Sequence, residues 1–154
     1  MGSYLEINNR ETNSTTWSKI LIEVIRDIDS GIKKNTNSTE KEKKYFIPRY
    51  YKVTDAKTKK LLGCGDWKIN KKGMALVVSY LKNMYEDEEI ARRMAIEEYK
   101  CNLEELDSED ELNKKIEQYT QKVKEDILWC YNYAVDVLTD MVLTGMKRVK
   151  VHWV

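Results

Sequence analysis

The stretch from residue 108 to residue 146 constrains the fold more than any other part of this 154-residue chain. Ser108 and Glu111 have the spacing of a capping box, in which the serine hydroxyl accepts from the backbone N–H of the glutamate. No Gly or Pro interrupts the stretch until Gly145, which suits a helix C-cap. We therefore predict one very long helix, or two helices nearly in line, with a total length of roughly 55 Å.

The two halves of this predicted helix differ in their distribution of apolar residues. The first half has a single apolar stripe, predicted as an interface and formed by Leu112, Ile116, Tyr119 and Val123. From Ile127 onward apolar residues cover most of the circumference, which predicts a buried helix. A compact domain of this size is only about 40 Å across. The first half is therefore expected to protrude and to need either another helix of this chain or a second copy, and we expect a homodimer.

The remaining elements predict a single α+β domain over residues 1–154. Helical spacing runs from Trp17 to Ile28 and ends near Gly31, and residues 31–44 are expected to form a mobile loop. The other predicted elements are a hairpin at 45–54 and 60–69, a turn at 70–73, helices at 74–85 and 87–100, and a C-terminal strand at 149–154. Residues 74–81 alone also fit a strand. The predicted fold is a small antiparallel sheet, made of the hairpin plus the C-terminal strand, packed on helices.

Composition argues against several classes of protein. There is no signal-peptide core and no apolar run of about 18 residues, so we expect a cytoplasmic protein with no membrane segment. Three widely spaced cysteines without a CxxC motif suggest reduced thiols, and a single histidine argues against zinc. We expect no cofactor and no metal.

Charge is segregated along the chain although the net charge is only +1. Residues 31–72 contain thirteen Lys or Arg against four Asp or Glu, whereas residues 73–146 contain eight against seventeen. The predicted acidic binding residues of the helices are Glu86, Asp87, Glu88, Glu89, Glu104, Glu105, Glu109 and Asp110. Such a surface either is simply solvated or steers a basic partner.

The hairpin interleaves cations with aromatic rings, as platforms for nucleic acids do. The candidate binding residues are Arg49, Tyr51, Lys52, Lys57, Lys59, Lys60, Trp67 and Lys68. Alternate rings on a strand normally face the core, so at least one ring of this set is expected to be structural.

Asp66 and Lys68 share one face of the second hairpin strand, with Asp55 at the end of the preceding strand and Glu23 on the first helix. This arrangement loosely resembles the PD-(D/E)xK nuclease core, although the proline before the first acid is absent. The resemblance implies a divalent metal held by the acids and a lysine that polarises water. No Ser–His or Cys–His arrangement is evident, and we predict no catalytic residues.

Three functional hypotheses follow. The first is a small non-enzymatic protein that binds another protein, such as a phage or mobile-element accessory that inhibits a host nucleic-acid-handling defence in the manner of anti-CRISPR proteins. Its location would be the host cytoplasm. The alternatives are nucleic-acid binding by the basic aromatic hairpin at 44–68 and, third, a metal-dependent nuclease.

Overall fold

The computed structural model describes the backbone of residues 5–7, 10–11, 16–54 and 61–153, and the side chains of residues 7, 19–48 and 66–152. The helices are α1 (Thr16–Lys34), α2 (Glu40–Lys43), α3 (Lys71–Glu86), α4 (Glu88–Glu98), α5 (Lys100–Glu104) and α6 (Glu109–Thr144). The strands are β1 (Leu5–Ile7), β2 (Arg10–Glu11), β3 (Phe46–Thr54), β4 (Leu61–Asn70) and β5 (Arg148–Trp153).

The five strands form an antiparallel sheet in the order β2-β1-β5-β4-β3. The predicted hairpin and its pairing with the C-terminal strand are confirmed, and so is the α+β class. β3 lies at the edge of the sheet, where the missing N–H of Pro48 is tolerated. The segment 74–85 is a helix rather than a strand.

One face of the sheet packs against the helices. On β4 and β5, Trp67, Ile69, Val149 and Val151 are buried and lie in matching register positions. Alternate residues of the same strands therefore occupy the opposite face of the sheet, here called the outer face. The buried residues of α1, α3 and α6 complete a core with Ile25, Leu81 and Ile127 among its fully buried members.

α6 is one continuous helix of 36 residues, about 54 Å long, as the sequence predicts. The Ser108 hydroxyl accepts from the backbone N–H of Glu111 at 3.5 Å. Gly145 ends the helix in the left-handed conformation, with φ of 70°.

The second half of α6 is not buried all round, so that prediction is wrong. Cys130, Ala134 and Met141 are buried, whereas Trp129 and Leu143 are 65% and 80% exposed. α1, α3 and α4 are the elements with the most contacts to α6. They leave one side of the helix open to solvent.

The predicted loop at 31–44 contains helical structure. α1 continues through Gly31 to Lys34, and Thr39 and Glu42 form a capping box that begins α2. Local side-chain capping therefore builds a helical turn in a segment without an apolar stripe.

Two further predicted turns are also wrong. Asn70 caps α3 by accepting from the backbone N–H of Gly73 at 2.8 Å, so the predicted turn at 70–73 is a helix start. The sequence also predicts a loop or short turn at 102–107, but its first residues belong to α5.

Candidate functional site

The first half of α6 is covered by α4 and α5 of the same chain. The Tyr99 and Tyr119 rings stack with centroids 4.0 Å apart. The Lys122 ammonium lies 5.7 Å from the centroid of the Tyr99 ring, and Lys124 donates to Glu88 at 3.2 Å. These contacts fix the acidic segments 86–89 and 104–110 relative to α6.

The packing of α4 and α5 on α6 also tests the prediction that the apolar stripe of α6 protrudes and forms an interface. Val123 is buried, and Leu112, Ile116 and Tyr119 are half-buried. The partner of the stripe is therefore largely another helix of this chain, which was one of the two alternatives. The structure removes this stripe as a reason to expect a homodimer.

The predicted acidic residues all lie on the surface, and we call them together the acidic end. They are Glu86, Asp87, Glu88, Glu89, Glu104, Glu105, Glu109 and Asp110, and every one is exposed. Within the part of the chain whose side chains are described, only Glu88 and Glu104 form salt bridges, with Lys124 and Lys100. The negative charge of this end is thus largely uncompensated.

The acidic end has two groups of residues along α6. Glu88 pairs with Lys124, whereas Glu109 begins the helix fifteen residues earlier, roughly 22 Å away along the axis. α6 enters β5 only after its opposite terminus. The group at 104–110 therefore lies at the far end of the long helix from β5.

Helix dipoles explain some of these acids but not all of them. Asp87 caps α4 by accepting from the backbone N–H of Glu89 at 3.1 Å, and Glu109 and Asp110 lie in the first turn of α6, where negative charge is favourable. Glu86 and Glu104 are instead the last residues of α3 and α5. A carboxylate at a helix C-terminus opposes the dipole, and only for Glu104 is this cost partly offset by a described ion pair, with Lys100.

A polar cleft of about 640 Å³ separates α4 from α6 beside the acidic end. Acids and bases both line it, together with Ile116 of the stripe. Its lining residues are Glu88, Glu89, Arg92, Asn113, Ile116, Glu117, Thr120, Gln121 and Lys124.

The structure describes only part of the predicted basic hairpin. Lys57, Lys59 and Lys60 lie outside the described residues, and for Arg49, Tyr51 and Lys52 only the backbone of β3 is described. Lys68 is exposed on the outer face of the sheet.

Trp67 belongs to the core and not to a binding surface. Its exposed fraction is 0%, and its Nε1–H donates to Asp29 of α1 at 3.3 Å. The guanidinium carbon of Arg26 lies 5.8 Å from the centroid of the ring. The indole ring is therefore not available to stack on a base, which corrects its assignment to the nucleic-acid-binding set.

A pair that sequence reasoning missed joins Asp66 of β4 to His152 of β5. The two residues are direct partners in the strand register, the His152 Nδ1 contacts the Asp66 carboxylate, and Asp66 is 4% exposed. Eighty-six residues separate them. The sequence predicted that the C-terminal strand joins the hairpin sheet, but not that it pairs with β4 in the register that joins these two residues.

The residues of the nuclease resemblance are only partly brought together where the structure describes them. Asp66 and Lys68 share the outer face of the sheet as predicted, opposite to the face that carries Trp67. Glu23 lies on α1, which packs on the Trp67 side. Asp55 lies outside the described residues.

The environments of the two described thiols differ. Burial raises the pKa of the Cys130 thiol, and the nearby Asp126 carboxylate raises it further. Cys130 therefore stays protonated at neutral pH and packs as a small apolar group. Cys101 is exposed on α5.

Comparison with models of known families, with curated proteins and with solved structures gives no match for this chain. None of the helices within the described residues is both long and apolar enough to cross a bilayer.

Proposed function

We propose that this protein is a non-enzymatic inhibitor that binds another protein through its acidic end. The partner is a cationic protein, and the surface of the partner that is bound is one that otherwise binds nucleic acid. A phage or mobile element would use such a protein in the host cytoplasm to block a nucleic-acid-handling defence system.

The observation that carries this proposal is the position of Glu86 and Glu104 at helix C-termini. Carboxylates there oppose the helix dipoles, and the surrounding acids of the acidic end add repulsion. A chain selected for stability alone would gain by replacing them. A cationic partner explains them, since it would supply counter-charge beyond the Lys100–Glu104 pair and associate faster through electrostatic steering.

Affinity capture from host extract tests the proposal when it is performed with and without nuclease. The bait is the wild-type protein, compared with a variant carrying Glu86→Lys, Glu104→Lys and Glu105→Lys. We expect a cationic host protein on the wild-type bait after nuclease treatment, and at least a tenfold loss on the variant.

A matched control carries Lys114→Glu and Lys115→Glu, two exposed lysines of α6 outside the acidic end. This control should retain the partner. Capture that disappears with nuclease, or capture that is equal on the wild type and on the charge-reversed bait, would contradict the proposal.

A second candidate function is nucleic-acid binding by the outer face of the sheet, supported by one observation. Lys68 of β4 and Lys150 of β5 are direct cross-strand partners, and both are exposed. Two neighbouring cations on one face of a sheet suit contacts with the phosphate backbone of a nucleic acid. This candidate requires that duplex or single-stranded DNA shift the protein in a gel, with affinity that falls steeply with salt. Binding unchanged by Lys68→Glu and Lys150→Glu would exclude it.

A further inference from the structure

One side of the second half of α6 is open and mostly apolar. Residues 128, 135 and 142 recur at intervals of seven, as do residues 129, 136 and 143, so the two rows lie next to each other on one side of the helix. We call the following five residues the α6 apolar face: Leu128, Trp129, Val135, Val142 and Leu143. Four of the five are exposed and Val135 is half-buried.

The exposed Asn132 and Asp136 lie among these apolar residues, whereas Thr139 adds little polarity to the face. The hydroxyl of Thr139 donates to the carbonyl of Val135 at 2.8 Å, so it is turned back to its own helix. A depression of about 280 Å³ lies beside Trp129 and is lined by Glu125, Leu128 and Asn132 as well. An exposed Trp beside a depression is typical of the centre of a protein interface.

From residue 125 to the end of α6 the charged residues are all acidic. Glu125, Asp136 and Asp140 are exposed, whereas Asp126 is half-buried and interacts with Glu98 of α4. An apolar surface with an acidic rim is complementary to an apolar cleft with a basic rim.

This face is also continuous with the acidic end. Glu111, Gln118, Glu125 and Asn132 follow at intervals of seven and are all exposed. They connect the N-terminal turn of α6 to the α6 apolar face along one side of the helix. A single partner lying along α6 would therefore meet acidic residues first and then apolar ones.

A second copy of the chain fits this face poorly. An antiparallel pair with Leu128 against Leu143 has its two-fold axis between residues 135 and 136, so the two Asp136 carboxylates approach each other. A parallel pair sets Asp136 directly against Asp136. In addition, the five side chains of this face provide an accessible surface of only a few hundred Å², whereas a stable interface buries about 800 Å² of accessible surface per partner.

We propose that the α6 apolar face docks into an apolar cleft rimmed by Lys and Arg on the protein partner, with Trp129 as the main contact. This inference rests on the proposed function, because it assigns the same cationic partner to both surfaces. The acidic end attracts the partner electrostatically and forms the outer contacts of the interface, and the α6 apolar face forms its desolvated centre.

A synthetic amphipathic helical peptide with a Leu face and a Lys face tests this docking directly. Fluorescence anisotropy of the labelled peptide measures its affinity for the wild-type protein, with a Leu/Glu peptide of the same length for comparison. We expect the Lys peptide to bind and the Glu peptide to bind at least tenfold more weakly. Trp129→Ala should weaken Lys-peptide binding by about tenfold or more.

The matched control is Leu76→Ala on α3, an apolar residue with 38% exposure away from this face. It should bind the Lys peptide as the wild type does, and far-UV circular dichroism should show all variants folded. Equal weakening by Leu76→Ala and Trp129→Ala, or no binding by the wild type, would overturn the docking proposal.

Two further outcomes separate this inference from the proposed function. If Glu104→Lys with Glu105→Lys abolishes peptide binding while Trp129→Ala leaves it unchanged, charge alone drives binding; the docking proposal then fails and the proposed function stands. If light scattering finds a dimer that Trp129→Ala converts to a monomer, a second copy covers the face and the docking proposal is overturned. The proposed function itself is tested separately, by the capture experiment with nuclease, whose result does not depend on Trp129.

Discussion

Gly145 shows how one residue can end a long helix. Its φ of 70° is readily adopted by glycine and disfavoured for residues with a Cβ. A Cβ built at Gly145 meets no atom within 4 Å, so any cost of replacement comes from the backbone conformation and not from a clash.

The comparison of Gly145 with Gly31 is a direct test of this interpretation. Gly31 lies inside α1 and also has no atom within 4 Å of a built Cβ. We expect Gly145→Ala to lower the free energy of unfolding by about 1 kcal/mol, and Gly31→Ala to raise it by about 0.5–1 kcal/mol. Urea denaturation measures both, and equal effects of the same sign would contradict the assignment.

Asp126 is a second test at the residue scale. Burial raises the pKa of its carboxyl, Glu125 and Glu98 raise it further, and Lys122 acts in the opposite sense. Since the folded-state pKa lies above the ordinary value of 3.8, the folded protein binds the proton more tightly than the unfolded chain does. The ionised carboxylate therefore costs stability at neutral pH.

Asp126→Asn should accordingly raise the melting temperature at pH 7. The gain should shrink as the pH falls through the folded-state pKa towards 3.8, because the folded protein then takes up the proton and no longer holds an ionised carboxylate. Thermal melts across this pH range measure the effect. A gain that is independent of pH would show that the ionised carboxylate is not its cause.

At the scale of single elements, α6 shows what the sequence could and could not predict. Its limits were predictable because Ser108 and Gly145 act locally on the first and last turns. The exposure of Trp129 was not predictable, because an apolar residue is buried only if another element happens to lie beside it. The Asp66–His152 contact was likewise hidden, since it depends on register between strands distant in sequence.

Ile127 and Trp129 of α6 allow the difference in stability between a buried and an exposed apolar residue to be measured. Ile127 is fully buried, whereas Trp129 is largely exposed. Ile127→Ala should cost about 2–5 kcal/mol of unfolding free energy, and Trp129→Ala should change it by less than about 0.5 kcal/mol. A large loss of stability from Trp129→Ala would mean that the α6 apolar face is covered within the monomer.

At the scale of the whole molecule, the segregation of charge could be read directly from the sequence, but its placement relative to helix termini could not. Glu86 lies at the negative, C-terminal end of the α3 dipole, whereas Glu109 lies at the positive, N-terminal end of the α6 dipole. This contrast separates acids that stabilise the fold from acids that do not.

The contrast predicts opposite responses to the same substitution. Glu86→Gln should stabilise the protein by a few tenths of a kcal/mol to about 1 kcal/mol, and Glu109→Gln should destabilise it by a similar amount. Both effects should diminish at high salt, because these side chains are exposed. Chemical denaturation at low and high ionic strength tests the pair, and effects of equal sign would remove the electrostatic argument for Glu86.

If the acidic end occupies a nucleic-acid-binding surface on a cationic protein, as we propose, this protein and DNA must compete for that partner. Labelled DNA is bound to the captured partner, the protein is titrated in, and anisotropy of the DNA is followed. We expect stoichiometric release of DNA by the wild type, and at least a tenfold higher concentration requirement for the variant with Glu86→Lys, Glu104→Lys and Glu105→Lys. DNA that stays bound while the protein binds the same partner would show that the acidic end does not occupy the nucleic-acid-binding surface.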